Sequence, residues 1–437
     1  MRENRLQANA GIGIRMKQTS KSDQNETYLT CQSQDTADQN PPKRAAAALA
    51  LSDAAATRAA WVEIDLLAAQ QNLRLVRRQV GAERKIIAVV KADAYGHGAP
   101  AISRALLAAG ADMLAVATVG ELAALRAAGI DAPVLILGFV PAQGYGAALR
   151  YGAILTIYSL AQAMALDAVA EQLGLQAAVQ IKVDTGMHRL GFPPSAEAVR
   201  DVVKIAALPH LRLAGAFSHF AVSDILDKRY SVMQLGLFQR FIDRCAEKGI
   251  DFPLRHIANS AAICSFPDSW CNAVRPGIIL YGCDPSPEVR CLPGMQAVMT
   301  VHAQVVRLHT IPAGAYVSYG CTWQAGQPSR IATLPLGYAD GLPRLLSNNG
   351  CAVFAGGRAP LVGRICMDQC MADVSALPEI REGDIATLLG DGIRADDIAD
   401  QAQTVNYEIT CRFGARLPKL YHGDATITMA KPTENAT

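Results

Sequence analysis

Residues 85–98 read KIIAVVKADAYGHG. An apolar run of strand length ends in a lysine and breaks into a glycine-bearing segment. It reads as a strand buried on both faces that delivers one charged side chain at its carboxyl end. Seven more runs of this kind follow: 112–117 (DMLAVA), 133–138 (PVLILG), 153–157 (AILTI), 177–183 (AAVQIKV), 213–218 (LAGAFS), 255–258 (RHIA) and 274–280 (VRPGIIL). Between most of them lie stretches with apolar residues three or four apart, such as 121–128 and 234–247, which is the helical period. Strand–helix units in series pair in parallel through right-handed crossovers, and eight of them close into a (β/α)8 barrel of the TIM type. An open doubly wound sheet is the competing topology, but no GxGxxG turn follows the first run.

The barrel is assigned to residues 57–294. Beyond about residue 295 the rhythm changes: the runs at 298–308, 330–335, 351–354, 359–365 and 384–389 are strand-like, separated by Gly, Pro and Asp, with few helices between. These make a second, mostly-β domain over residues 295–425. Residues 1–56 are rich in Gln, Asn, Ser, Thr and Lys without period, and read as a disordered tail; residues 426–437 form a polar tail. Met16 is an alternative start. Lys43 and Arg44 precede only AAAALAL, so a processed export signal is the weaker alternative.

Hydrophobic residues make up 51% of the 437 and charged residues 18%, which excludes disorder of the whole chain. Lys plus Arg is 41 against 39 acids, a net +2 that excludes nucleic-acid binding driven by charge. No apolar run reaches the roughly 18 residues of a membrane span. The eleven cysteines are odd in number and scattered through apolar segments, so a disulfide framework is not expected and a reducing, cytoplasmic location is. Cys366 and Cys370 alone stand close together; with no CxxC set, no metal site is expected.

In an eightfold barrel, catalytic groups gather at the carboxyl ends of the strands. Those ends supply Lys91, then Lys182 followed by DTGMHRLG, then Ser218 and His219, then Asn259 and Ser260, and last Arg275 followed by PGI. A lysine ending an apolar strand is ordinarily a surface residue, but here YGHG follows it and a matching set of donors faces it. Desolvation lowers its pKa and favours a nucleophilic amine that can form a Schiff base. Asn259 and Ser260, with the backbone N–H groups of Gly277 and Ile278, suit a phosphate at the last two loops. An imine-forming lysine, a phosphate cradle and a cation from the eighth strand together describe a pyridoxal phosphate site.

The stretches AVVKADAYGHG, KVDTGMHRLG, SHFA, IANSAA, VRPGIILYG, VSYG, PLGYADG and RICMDQ occur in this order across both domains, and the chain from about Trp61 to about residue 425 resembles the alanine racemases of the pyridoxal-phosphate barrel type. The resemblance implies that Lys91 holds the cofactor and is the base on one face of the substrate α-carbon. Tyr319, in VSYG, would be the opposite base, contributed across a homodimer with shared active sites. Tyr95, Ser260, Gly277 and Ile278 would bind the phosphate. Arg275 would face the pyridine nitrogen, Arg189 the substrate carboxylate, and Met367 would line the carboxylate side. His219 would order Tyr319 and Arg275. Lys182 would carry a carbamate paired with Arg189; an ordinary buried Lys paired with an acid such as Asp184 is the alternative. Tyr338, Arg344 and Asp224 would belong to the access corridor, His97 would be structural, and His188 has no assigned role.

The implied activity is interconversion of L- and D-alanine, for cell-wall precursor supply or D-alanine catabolism. Many relatives place a tyrosine eight residues after the pair corresponding to Tyr407 and Glu408; Ala415 stands here. A wider pocket, and a racemase of broader specificity that also takes serine, is therefore an alternative. A pyridoxal phosphate decarboxylase shares a related barrel but should lack VSYG and RICMDQ. A non-catalytic carrier of the cofactor would be barrel-only, without the domain bearing Tyr319.

Overall fold

The computed structural model describes residues 58–423. The tails assigned to residues 1–56 and 426–437, with Met16 and the export-signal alternative, lie outside the described residues.

Eight parallel strands carry the barrel: β2 (Lys85–Val89), β3 (Met113–Val116), β4 (Val134–Ile136), β5 (Ala153–Ile157), β6 (Ala177–Lys182), β7 (Leu211–Phe217), β8 (Leu254–His256) and β9 (Ala273–Val274). They run in the order β8-β7-β6-β5-β4-β3-β2-β9. Seven overlap the expected runs to within two residues at either end, but the eighth differs: β9 meets the expected 274–280 only at Val274, and Ile278–Tyr281 form a 3-10 turn instead of strand. At the β8–β9 seam two separate bonds replace a ladder: Arg275 N donates to Ala258 O at 2.9 Å, and Arg255 N to Asn272 Oδ1 at 2.7 Å. The barrel is therefore nearly closed, with its seam beside the residues expected to hold phosphate.

Side chains alternate along each strand. On β6, Val179 and Ile181 are fully buried, while Gln180 and Lys182 lie on the opposite face and meet His256 and Phe217 inside the barrel. The helices outside are conventionally capped. Asp65 accepts from Ala68 N to start Leu66–Val80, and Thr118 and Glu121 form a capping box on Val119–Ala127.

The second domain holds a six-stranded sheet and a three-stranded one. Here the sequence assignment needs correction. Ala60–Asp65 (β1) was placed with the barrel. It instead pairs antiparallel with β10 (Met299–Gln304) and parallel with β17 (Lys419–His422). Its apolar alternation fits any half-buried sheet, and only tertiary pairing decides which. The single run expected at 298–308 is two strands: β10 lies in the large sheet, while β11 (Arg307–Ile311) joins β12 (Ser329–Leu334) in the small one. One contiguous apolar core runs through barrel and β domain.

Between β6 and β7 the register shifts by one residue, so Gln180 faces Gly215. A β-carbon on Gly215 would lie 2.5 Å from Leu254 O on β8. The Gly215→Ala variant should therefore spread β7 and β8 and lose about 1–3 kcal/mol of stability, the usual effect of overpacking. Urea denaturation followed by circular dichroism checks this.

Candidate active site

Lys91 stands two residues beyond β2, half-buried, where the chain enters a conformation that L-residues avoid. Ala92, Asp93, Ala94 and Tyr95 have φ of 52°, 52°, 53° and 55°. A left-handed turn of non-glycine residues costs roughly 1–2 kcal/mol per residue, and it persists only where its surroundings over-determine it. Those surroundings are specific. Glu121 accepts from Ala92 N at 2.6 Å, and its other oxygen accepts from Ala117 N and Thr118 N. Asp93 accepts from Ala99 N at 2.8 Å and pairs with Lys419 Nζ at 3.0 Å. Gly96 is pressed against the backbone of Thr410, leaving no room for a β-carbon.

His97 is structural, as expected. Its buried ring stacks on Tyr281 with centroids 4.5 Å apart, and Nδ1 lies 3.0 Å from the carbonyls of Ala94 and Tyr95. Burial holds its pKa down to about 4, so it is neutral and Nδ1–H donates.

The turn aims Lys91 one way and Tyr95 another. Burial depresses the Lys91 pKa, with Arg189 pushing the same way; Glu121 and Cys411 partly oppose them. Tyr95 packs on Tyr281 with centroids 4.9 Å apart, and its hydroxyl sits so close to Gly277 that a β-carbon there would lie 2.6 Å from it. Gly277 N donates to Ser260 Oγ at 2.8 Å. Tyr95, Ser260, Gly277 and the adjoining Ile278 thus converge at one end of the mouth. Asn259 serves that end indirectly: its Oδ1 accepts from Ser223 Oγ and caps Ala262 N.

Arg275 crosses the barrel beneath, 3% exposed. It approaches His256 Nδ1 at 2.5 Å, Ser218 O at 2.8 Å, His219 Nδ1 at 3.1 Å and Ile257 O at 3.3 Å. Every one of these is a neutral acceptor. Burial lowers its pKa to about 9, which still leaves the guanidinium charged at neutral pH. Burial and the nearby cations drive both His219 and His256 well below the ordinary histidine range, so both rings are neutral.

Lys182 is buried, with Nζ 4.8 Å from the Phe217 ring centroid. Burial, Arg275 and Arg189 all lower its pKa, and only Asp184 opposes them. Asp184 does not pair with Lys182; it accepts from the backbone of Gly186 and His188 and from the His188 ring. Among the described residues, no carboxylate forms an ion pair with Lys91, Lys182, Arg189 or Arg275.

The β domain supplies the remaining expected residues, and they face outward. Tyr319 is 70% exposed and Met367 53% exposed. Ser318, at φ 66°, and Gly320, at 72°, hold the Tyr319 turn. Its base is fixed by Ser318 Oγ donating to Arg364 O at 2.5 Å. Met367 O and Cys366 O accept from Ala339 N and Tyr338 N, so RICMDQ and LGYADG brace each other. Cys366 contacts Ser318 Oγ, whereas Cys370 is buried in β15 (Cys370–Asp373). The ten described cysteines are free thiols, and no described helix is long and apolar enough to cross a membrane.

Sequence reasoning missed Glu121, Asp93, Gln180, His256 and Cys411. Glu121 was findable, because Thr118-x-x-Glu121 before an apolar run is a capping box. Nothing local marks the others.

The chain matches the alanine racemase N-terminal domain over residues 64–285 and the alanine racemase C-terminal domain over residues 298–421. It belongs to the alanine racemase family. It is 44% identical over 367 residues to the alanine racemase of Desulforamulus reducens, spanning 83% of this chain and 99% of that one. The alanine racemase of Methanococcus maripaludis is 42% identical over 366 residues, 83% of this chain and 98% of that one. Among solved structures, the alanine racemase of Clostridium difficile 630 superposes with a TM-score of 0.81 at 36% identity, covering 83% of this chain and 96% of that one. The Bacillus anthracis alanine racemase, solved with bound L-Ala-P, gives 0.79 at 33% identity, covering 85% and 96%.

Membership does not remove the electrostatic problem posed by Lys182. The unfolded chain has an ordinary lysine there, so between the depressed folded pKa and the ordinary value it binds more protons than the folded chain. Stability contributed by this site therefore rises with pH through that window. Lys182→Met should raise the urea midpoint at neutral pH in bicarbonate-free buffer and flatten part of the rise toward alkaline pH.

Proposed function

We propose that the protein interconverts L- and D-alanine with pyridoxal phosphate as cofactor. The observation that carries this is the barrel mouth, where an amine driven toward its neutral form shares the end of the barrel with the converging Tyr95, Ser260 and Gly277 and with cations that no described carboxylate pairs. The residues present fit a dianionic ring cofactor: Tyr95, Ser260 and the N–H groups of Gly277 and Ile278 would hold its phosphate. Asn259 would support Ser260, and Lys91 would hold its aldehyde carbon. Arg275 would face its ring nitrogen. Bound there, the group withdraws electrons from the substrate α-carbon.

Racemisation requires a proton to leave one face of that carbon and another to arrive on the opposite face, so two bases are needed. Burial and the Arg189 charge lower the Lys91 pKa, which raises the share of free amine able to take a proton from Cα. Tyr319, 70% exposed on the β domain, suits a neighbour's site rather than its own. We therefore infer a homodimer in which the partner subunit's Tyr319 completes the site. The Arg275 guanidinium, with the neutral ring of His219 beside it, would be the network toward which that phenol points. Arg189 would orient the substrate carboxylate, with Met367 on the same side. A guanidinium donates only, so Arg275 keeps the ring nitrogen unprotonated and disfavours side reactions such as transamination. A carbamate on Lys182 would turn a disfavoured cation into an anion between Arg189 and Arg275. The free thiols suit a reducing, cytoplasmic setting.

Ala415 favours a second reading. It is an exposed, small residue a few positions from Cys411, which couples electrostatically to Lys91. A side chain larger than alanine's, such as serine's, would find room there, and racemisation of serine alongside alanine tests this.

Two variants test the mechanism. Tyr319→Phe should lose net racemisation by roughly two to four decades while retaining α-proton exchange into deuterated solvent for the D enantiomer, the face that Lys91 would serve. Equal loss for both enantiomers with cofactor bound would contradict the two-base scheme. Lys91→Ala should be inactive, and mixing it with Tyr319→Phe under subunit exchange should restore part of the activity, because one mixed site regains both bases.

A further inference from the structure

Beneath the mouth, two buried side chains line up behind Arg275, and the reaction scheme uses neither. Gln180 Oε1 lies 2.8 Å from His256 Nε2, and His256 Nδ1 lies 2.5 Å from the Arg275 guanidinium. Gln180 and His256 are 0% exposed. A guanidinium has only donors, so Nδ1 must accept; a neutral imidazole has one donor and one acceptor, so Nε2 must carry the proton. Gln180 therefore has to present its carbonyl oxygen to the ring.

That choice has a visible cost. The Gln180 amide nitrogen is left buried with no partner among the described residues, which costs stability. A leucine would avoid the orphan, and so would a glutamate, which also accepts. Glutamate, however, would set a carboxylate against His256 and either draw a second proton onto the ring or offset the charge of Arg275. The groups facing His256 are Arg275, Gln180, Phe217 and Lys182. Phe217 stacks on the ring at 5.0 Å and 15°. It fixes the plane of the ring, while the hydrogen bonds to Gln180 and Arg275 fix its rotation within that plane. The shift of register between β6 and β7 falls at Gln180 itself.

We propose that Gln180 is a positioning residue of the racemase site: its carbonyl holds His256 as a neutral, Nε2-protonated ring, so that Arg275 has a neutral acceptor behind it and brings its full charge to the barrel mouth. The proposal rests on Arg275 facing the cofactor.

Neutron diffraction from deuterium-exchanged crystals of the full chain tests the core of it. A deuteron on Nε2 of His256 and none on Nδ1 is expected at neutral pH; a deuteron on Nδ1, or on both nitrogens, overturns the proposal. Variants carry the functional arm. Gln180→Leu should lower kcat about tenfold, the usual effect of removing an outer partner of a site group, with KM for alanine little changed and the visible absorption of the bound cofactor shifted. Gln180→Glu should hold the ring but move the acid limb of the kcat–pH profile. Loss of thermal stability in both variants, with kcat, absorption and pH profile unchanged, overturns the proposal. A wild-type chain that never binds pyridoxal phosphate would overturn the cofactor reading instead, and the deuteron position still decides the role of Gln180.

Discussion

Lys91, Lys182, Arg189 and Arg275 share one end of a barrel, and among the described residues none of them has a carboxylate at ion-pair distance. Arg189 is exposed and Lys91 half-buried, but Lys182 and Arg275 are buried, and burying a charge without a partner is among the most expensive things a fold can do. The rest of the site follows from how that cost is met. Arg275 is surrounded by neutral acceptors, two carbonyls besides two histidines that burial and then its own field keep unprotonated. Lys91 and Lys182 are pushed toward neutrality. What charge remains is held without a carboxylate partner among the described residues, at a cost to the stability of the free protein.

The same region stores backbone strain. Four successive residues after Lys91 adopt the left-handed conformation, none of them glycine. Glu121 and Asp93 hold this turn through carboxylate bonds to backbone N–H groups, which are stronger than neutral ones. Neither carboxylate is spent on the cations of the mouth at bonding distance. The acids nearest the lysine serve its backbone and leave its ammonium unpaired.

Much of this was legible in the sequence, and the limits have physical causes. The eight barrel strands were readable because strands buried on both faces are continuous apolar runs. Strand β1 was misassigned because alternation reports a half-buried sheet without naming the sheet. Lys91, Ser260 and Arg275 stood out because strand-end position confers a role in a barrel. Gln180 and His256 did not, since a polar residue inside a strand signals nothing until its partner across the barrel is known. Nor could spacing reveal the left-handed turn, because ADAY contains no glycine, and Asp93 alone tolerates positive φ better than its neighbours. The turn is imposed from outside, by Glu121 and by the segment around Thr410.

That outside support explains why the two domains cannot be considered separately. The first described strand, β1, and the last, β17, lie side by side in the large sheet, so the barrel is inserted between β1 and β10. Lys419, at the start of β17, pairs with Asp93 inside the strained turn. Gly96 is packed against Thr410, and the Gly98 β-position is closed by the Tyr421 hydroxyl. The last strand and the helix before it therefore clamp the segment that aims Lys91. Pairing of β17 with β1 sets the register of that clamp. The β domain thus acts twice: it presents Tyr319 outward, and it holds in place, within its own chain, the turn that follows Lys91.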